Sequence, residues 1–113
     1  MSKIQRIDPN APAEEGAPKR ILSGNPVTAV ANQYTGGDER FFCGVWTSTP
    51  GCWKISYTEE EFCVLLSGRA RLTDGEGEVS EFGPGDAFVI PSGFEGTWET
   101  LDPLKKLYAI LEK

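Results

Sequence analysis

Glycine and proline cut this chain into short β-prone pieces. Thirteen glycines and eight prolines are spread over 113 residues, and they cluster at Gly36-Gly37-Asp38, Pro50-Gly51, Asp74-Gly75-Glu76-Gly77, Gly83-Pro84-Gly85 and Pro91-Ser92-Gly93. Each cluster supplies the positive or fixed φ that reverses a strand, and Asp74-Gly75 is a strong hairpin signal. The runs between them lack the 3.6-residue apolar repeat of an amphipathic helix. They read as strands at Val27 to Asn32, Arg40 to Thr47, Cys52 to Tyr57, Glu61 to Leu66, Arg69 to Thr73, Glu78 to Phe82, Asp86 to Ile90, Gly96 to Thr100 and Leu104 to Leu111. No connection needs a helical crossover, so the expected architecture is all-β, with the strands joined into an antiparallel closed sheet.

Composition narrows what such a sheet can do. Seventeen acidic against eleven basic residues give a net charge of −6, which argues against nucleic acid and anionic membranes as partners. There is no run of eighteen apolar residues, and the start (Met1-Ser2-Lys3-Ile4-Gln5-Arg6) has no signal-peptide centre, so a cytoplasmic protein is expected. Cys43, Cys52 and Cys63 lie in apolar runs outside any C-x-x-C pair and read as buried thiols rather than a disulfide framework. The histidine count is zero, which removes Ser-His and Cys-His catalysis and any histidine-ligated metal.

Residues 1–25, with Asp8-Pro9-Asn10-Ala11-Pro12 and Pro18, read as an extended or partly disordered arm, and 26–113 as one barrel. The arm's few apolar residues, Ile4, Ile21 and Leu22, could add an edge strand to a partner subunit, and a homodimer is expected.

Two stretches carry a family resemblance. Gly51 to Gly68 (GCWKISYTEEEFCVLLSG) is similar to the first cupin motif, with Glu61 at its glutamate and Gly68 at its closing glycine. Gly85 to Gly96 (GDAFVIPSGFEG) is similar to the second, with Gly85, Pro91 and Gly93 in place. More narrowly, Trp46, Glu61-Phe62-Cys63, Pro91-Ser92-Gly93-Phe94 and Gly96-Thr97-Trp98-Glu99 resemble the small cupins grouped with ureidoglycine aminohydrolase. The resemblance implies a single cupin (RmlC-like) jelly-roll β-barrel and, in the family, a divalent metal on two histidines, a glutamate and a third histidine. Here the paired positions fall on Ile55 and Tyr57, or on Lys54 and Ser56, and the third on Gly96, so only Glu61 remains and no metal or other cofactor is expected.

The candidate ligand pocket is therefore built on Glu61, Tyr57, Cys63, Trp98 and Lys54, with Gly51, Gly68, Gly85, Pro91, Gly93 and Gly96 as the structural motif. Strand alternation puts Glu61 on the side of Cys63 and Leu65, and a carboxylate in an apolar interior is suited to acid–base work or to anchoring a hydrogen-bond network. Trp46, Trp53, Trp98, Phe88 and Phe94 offer flat surfaces for the mouth, and the missing side chain at Gly96 leaves room beside Trp98. Lys105, Lys106, Arg69 and Arg71 read as solvated faces. The expected function is a non-metal cupin that binds a small polar metabolite, with no reaction assigned. A hydrolase or isomerase acting on a ureide, and a structural or regulatory module whose barrel is filled by its own aromatics, remain as alternatives.

Overall fold

The computed structural model describes residues 2–113, and they contain strands and no helix. In chain order the strands are β1 (Glu14–Gly16), β2 (Ile21–Ser23), β3 (Thr28–Gly36), β4 (Phe41–Ser48), β5 (Gly51–Ser56), β6 (Glu60–Asp74), β7 (Val79–Phe82), β8 (Ala87–Ile90) and β9 (Glu95–Leu111). Every pairing is antiparallel.

The 17-residue β9 is the spine of the sheet. Along one edge it pairs with β4 through its C-terminal half and with β5 through its N-terminal half, and along the other it pairs with β6 over nearly its whole length. Ser56 pairs with Glu95 at one end of β9, and Glu60 pairs with Leu111 at the other. Four chain steps cover at most about 14 Å, whereas a straight strand of this length would span roughly 55 Å. The spine must therefore fold back on itself. Its two halves lie in two opposed layers, β1-β3-β4-β9-β6-β8 and β2-β5-β9-β6-β7, which is the jelly-roll arrangement expected from the sequence.

The bend has a clear sequence cause, in clusters that were expected to reverse the chain. Pro50-Gly51 and Gly83-Pro84-Gly85 do not reverse the chain. β4 and β5 run in the same direction along β9, as β7 and β8 do along β6, so each is one long strand interrupted midway. Opposite those gaps β6 is bulged around Gly68 and β9 carries Pro103, so the two runs expected on either side of Gly68, and the two on either side of Leu101, are single strands. Proline removes ladder donors and a bulge bends its strand, so a row of both across neighbouring strands creases the sheet. True reversals occur at Gly36–Arg40, Asp74–Gly77 and Pro91–Phe94, where the amides of Arg40, Gly77 and Phe94 close the turns. In the last, Gly93 has φ +90 and donates its amide to the Tyr57 carbonyl.

The sheet does not close on itself. Among the described residues the β7–β8 edge pairs only with β6, and the arm covers the opposite side. β1 extends the edge of β3 and β2 extends the edge of β5, so residues 17–20 cross from one layer to the other. Ile21 thus pairs within its own chain, opposite Trp53. Farther out, Asp8 and Gln33 exchange hydrogen bonds of 2.7 and 2.9 Å, and Lys105 donates to the Pro9 carbonyl, so this part of the arm is also tied down. The core between the layers is Trp53, Cys63, Leu65, Ala70, Leu72, Ile90, Trp98 and Leu104. No helix among the described residues is long and apolar enough to cross a membrane.

Candidate functional site

Between the layers lies a cavity of about 520 Å³, so the barrel is not filled by its own aromatics. One wall comes from β3, β4 and the C-terminal half of β9 (Val30, Asn32, Trp46, Lys106, Tyr108 and Ile110). The other comes from β5 and the N-terminal half of β9 (Trp53, Ile55 and Trp98, with Tyr57 just beyond β5), and Glu61 stands at the start of β6. Alternation explains the selection. On β9 the residues Leu104, Lys106 and Tyr108 are buried inward while their neighbours are more exposed, and on β6 the same holds for Glu61, Cys63 and Leu65.

The centre of the site is a buried ion pair. Lys106 Nζ lies 3.0 Å from Glu61 Oε2, and the two residues are 3 % and 4 % exposed. Tyr57 donates its hydroxyl to Glu61 Oε1 at 2.6 Å, and Lys106 Nζ donates to Cys63 Sγ at 3.6 Å. The ammonium also sits 4.5 Å from the ring centroids of both Trp46 and Trp98, a cation–π arrangement that gains strength when desolvated. Trp98 is held in place by its Nε1–H, which donates to Thr100 Oγ1 at 2.9 Å. Thr100 donates to Ser48 Oγ at 3.0 Å, and Ser48 to the Thr49 carbonyl at 2.7 Å, so the chain ends at the crease. Across the cavity Tyr108 donates to Asn32 Oδ1 at 2.8 Å.

Burial is the strongest single influence on the Lys106 ammonium and pushes it down, but Glu61 and Cys63 together outweigh it, and Lys106 is held above the ordinary lysine value. Burial, then the Glu61 charge and hydrogen bond, raise the Tyr57 phenol above its usual range. Burial also pushes the Cys63 thiol up to about 12 despite the opposing pull of Lys106, so it is a neutral thiol and a poor nucleophile near neutral pH. Cys43 and Cys52 are likewise raised by burial.

These shifts set a pH dependence. The unfolded chain loses the Cys63 proton near its ordinary value of 9.0 while the folded chain keeps it to about 12, so the unfolded state binds fewer protons in that window and stability falls as pH rises. The raised Tyr57 and Lys106 add to the fall above their ordinary values of 10.0 and 10.5. The expected result is a lower urea midpoint at pH 10 than at pH 8. The Cys63→Ala variant should lose part of the difference, up to about 1.4 kcal/mol per pH unit over the Cys63 window. An unchanged difference in that variant would exclude Cys63 as a contributor.

Of the residues proposed from sequence, Glu61, Tyr57 and Trp98 line the cavity. Cys63 lies behind Lys106 in the core, with no exposed surface. Lys54 does not belong to the site. Trp53 and Ile55 point inward, so the residue between them is exposed on the outer face. The same alternation places Ile55 and Tyr57, rather than Lys54 and Ser56, on the cavity side.

The space expected at Gly96 is also absent, because a Cβ there would overlap the Thr73 carbonyl oxygen of β6. Trp46 and Trp53 join Trp98 in the wall, whereas Phe88 and Phe94 line a smaller recess with Leu72 and Phe82. Sequence reading missed Lys106, assigned to a solvated face with Lys105. The alternation along β9 with Leu104 and Tyr108 carried that signal.

The residues present do not fit the divalent metal that the cupin resemblance implies at Glu61. An ammonium already occupies the coordination space of Glu61, and the nearest other donors are a phenol and a protonated thiol. No three His, Cys, Asp or Glu side chains converge among the described residues.

Comparison with known proteins agrees with this geometry at the level of fold. A protein of unknown function of the DUF861 family from Pseudomonas syringae pv. tomato superposes with a TM-score of 0.84 at 23% identity, covering 92% of this chain and 46% of that one, so the chain spans about half the length of that relative. A putative ethanolamine utilization protein EutQ from Salmonella typhimurium superposes with a TM-score of 0.70 at 18% identity, over 86% of this chain and 77% of that one. The EutQ protein of Clostridium difficile gives 0.68 at 17% identity, over 77% and 69%. Comparison with curated proteins returns no match. The family model of the EutQ-like cupin domain matches residues 35–108, about two thirds of the sequence, and the chain belongs to that family.

Proposed function

We propose that the domain binds a small polar metabolite between its two layers, against Glu61, Tyr57 and the tryptophan wall, with no reaction assigned to it. The observation that carries this reading is a buried, fully partnered ion pair bordering a cavity of about 520 Å³, a volume within the usual range for small-molecule sites. The ureide hydrolase alternative has less support. Both Glu61 oxygens already accept a hydrogen bond, one from Tyr57 and one from Lys106, and Cys63 is a protonated thiol. Taking a proton onto Glu61 would leave the Lys106 ammonium buried without its partner, and a thiol nucleophile must be ionised.

A ligand that binds only the folded state stabilises it by mass action, by about 2.7 kcal/mol at one hundred times Kd. Screening metabolite mixtures by thermal unfolding should therefore reveal pools that raise Tm by roughly 10 °C. Val30→Trp, which fills the cavity from β3, is expected to abolish that rise without lowering the basal Tm substantially. If Val30→Trp responds to the same pools as the parent chain, the cavity is not the binding site.

A further inference from the structure

Resting on the reading that this cavity takes a small molecule, we infer that its occupant is an organic cation, an amine, amidine or guanidine on a planar or apolar body. The first argument is which hydrogen-bonding capacity the lining has left. Tyr57 and Tyr108 have turned their hydroxyl hydrogens onto Glu61 and Asn32, so they offer a ligand only lone pairs. Lys106 has committed hydrogens to Glu61 and Cys63, and its charge lies between two indole faces. Glu61 receives two hydrogen bonds, although a carboxylate offers about four acceptor sites. Apart from the third Lys106 hydrogen, whose nitrogen lies 4.5 Å from the Trp46 and Trp98 rings, the remaining donors on the lining are neutral: the second Asn32 amide hydrogen, the Thr28 hydroxyl and the indoles of Trp46 and Trp53.

The second argument is charge. Glu59, Glu61 and Glu112 line the cavity against Lys106 alone, three carboxylates to one ammonium, or a net of −2. Since Glu61 and Lys106 neutralise each other, the uncompensated charge is that of Glu59 and Glu112. An anion would meet both before it reached an ammonium that is already engaged, and the chain as a whole carries −6.

The third is the wall itself. All three tryptophans of the chain line the cavity. Trp53 and Trp98 stack at 6.4 Å and 28°, and Trp46 meets Trp98 edge-on at 5.4 Å. Indole faces attract cations and planar apolar groups alike. Lys106 already uses the wall in this way against Trp46 and Trp98, and a second cation would sit in the cavity that the same wall borders together with Tyr57 and Glu59.

Benzamidine, benzamide and benzoate are planar probes of nearly equal size whose head groups are cationic, neutral and anionic, and the three indole N–H resonances report directly on the cavity. Titration of the full chain is expected to show benzamidine binding at least tenfold more tightly than benzamide, with benzoate weakest. The preference should shrink severalfold between low and physiological salt, as for partly exposed charges. It should shrink similarly in the Glu59→Gln/Glu112→Gln variant, whose changes lie at the rim rather than in the core. Benzamide or benzoate binding as tightly as benzamidine would overturn the cation assignment and leave the metabolite-binding reading standing. No indole shift with any of the three at millimolar concentration would overturn both.

Discussion

Lys106→Met should lower the unfolding free energy by about 3–5 kcal/mol, the usual result of leaving one member of a buried ion pair without its partner. In a chain of this size that is a fall in Tm of roughly 15 °C. The loss comes from Glu61, which would stay almost fully buried with only the Tyr57 hydroxyl to hold its charge. Adding Glu61→Gln should recover most of it, because the amide keeps an acceptor for Tyr57 and no net charge remains in the interior. Calorimetry or urea unfolding of the two variants tests both statements. A cost below about 1 kcal/mol for Lys106→Met would mean that the pair behaves like a solvent-exposed one.

A second large effect is expected at the crease. Gly68 has φ +84, and a Cβ there would overlap the Pro103 carbonyl oxygen, a backbone atom held in the spine. Gly68→Ala therefore combines a left-handed backbone with steric overlap, and roughly 3 kcal/mol should be lost. Gly85 provides the control. Its φ is +87, but an added Cβ meets nothing within 4 Å, so Gly85→Ala should cost only the backbone penalty, about 1 kcal/mol. Equal losses in the two variants, read from their urea midpoints, would show that the contact with Pro103 is unimportant and that the bend does not depend on close approach at Gly68.

The contrast between these glycines shows what could and could not be read from the residues. Glycine and proline clusters announce that an extended chain changes course. They do not say whether it turns back or only bends, because a hairpin and a bulge draw on the same φ freedom. Asp74–Gly77 and Pro91–Phe94 are reversals, as read; Pro50-Gly51 and Gly83-Pro84-Gly85 are interruptions, and only the pairing with β9 and β6 distinguishes the two cases. Glu61 was legible because Cys63 and Leu65 continue its face with period two. Lys106 obeys the same rule with Leu104 and Tyr108, but the general preference of lysine for solvent prevailed, and that preference fails when a carboxylate from a strand paired alongside meets it. Gly96 was misread because the hydrogen-bonded ladder puts the β6 backbone against it, a long-range fact absent from the local sequence.

The place of β9 in the chain has one more consequence. β4, β5 and β6 all pair with this strand, and all three precede it, so the ribosome delivers the element that joins both layers after everything it must join. Until then the emerging chain can close only the pairings that leave β9 out, β1 with β3, β3 with β4, β2 with β5, and β6 with β7 and β8, and no strand yet joins β4 and β5 to β6. Translation of the last strand takes roughly 1–3 s at ordinary elongation rates. Through that interval the tryptophans of β4 and β5 lack the strand they pair beside, and the sheet can be completed only once the spine is available.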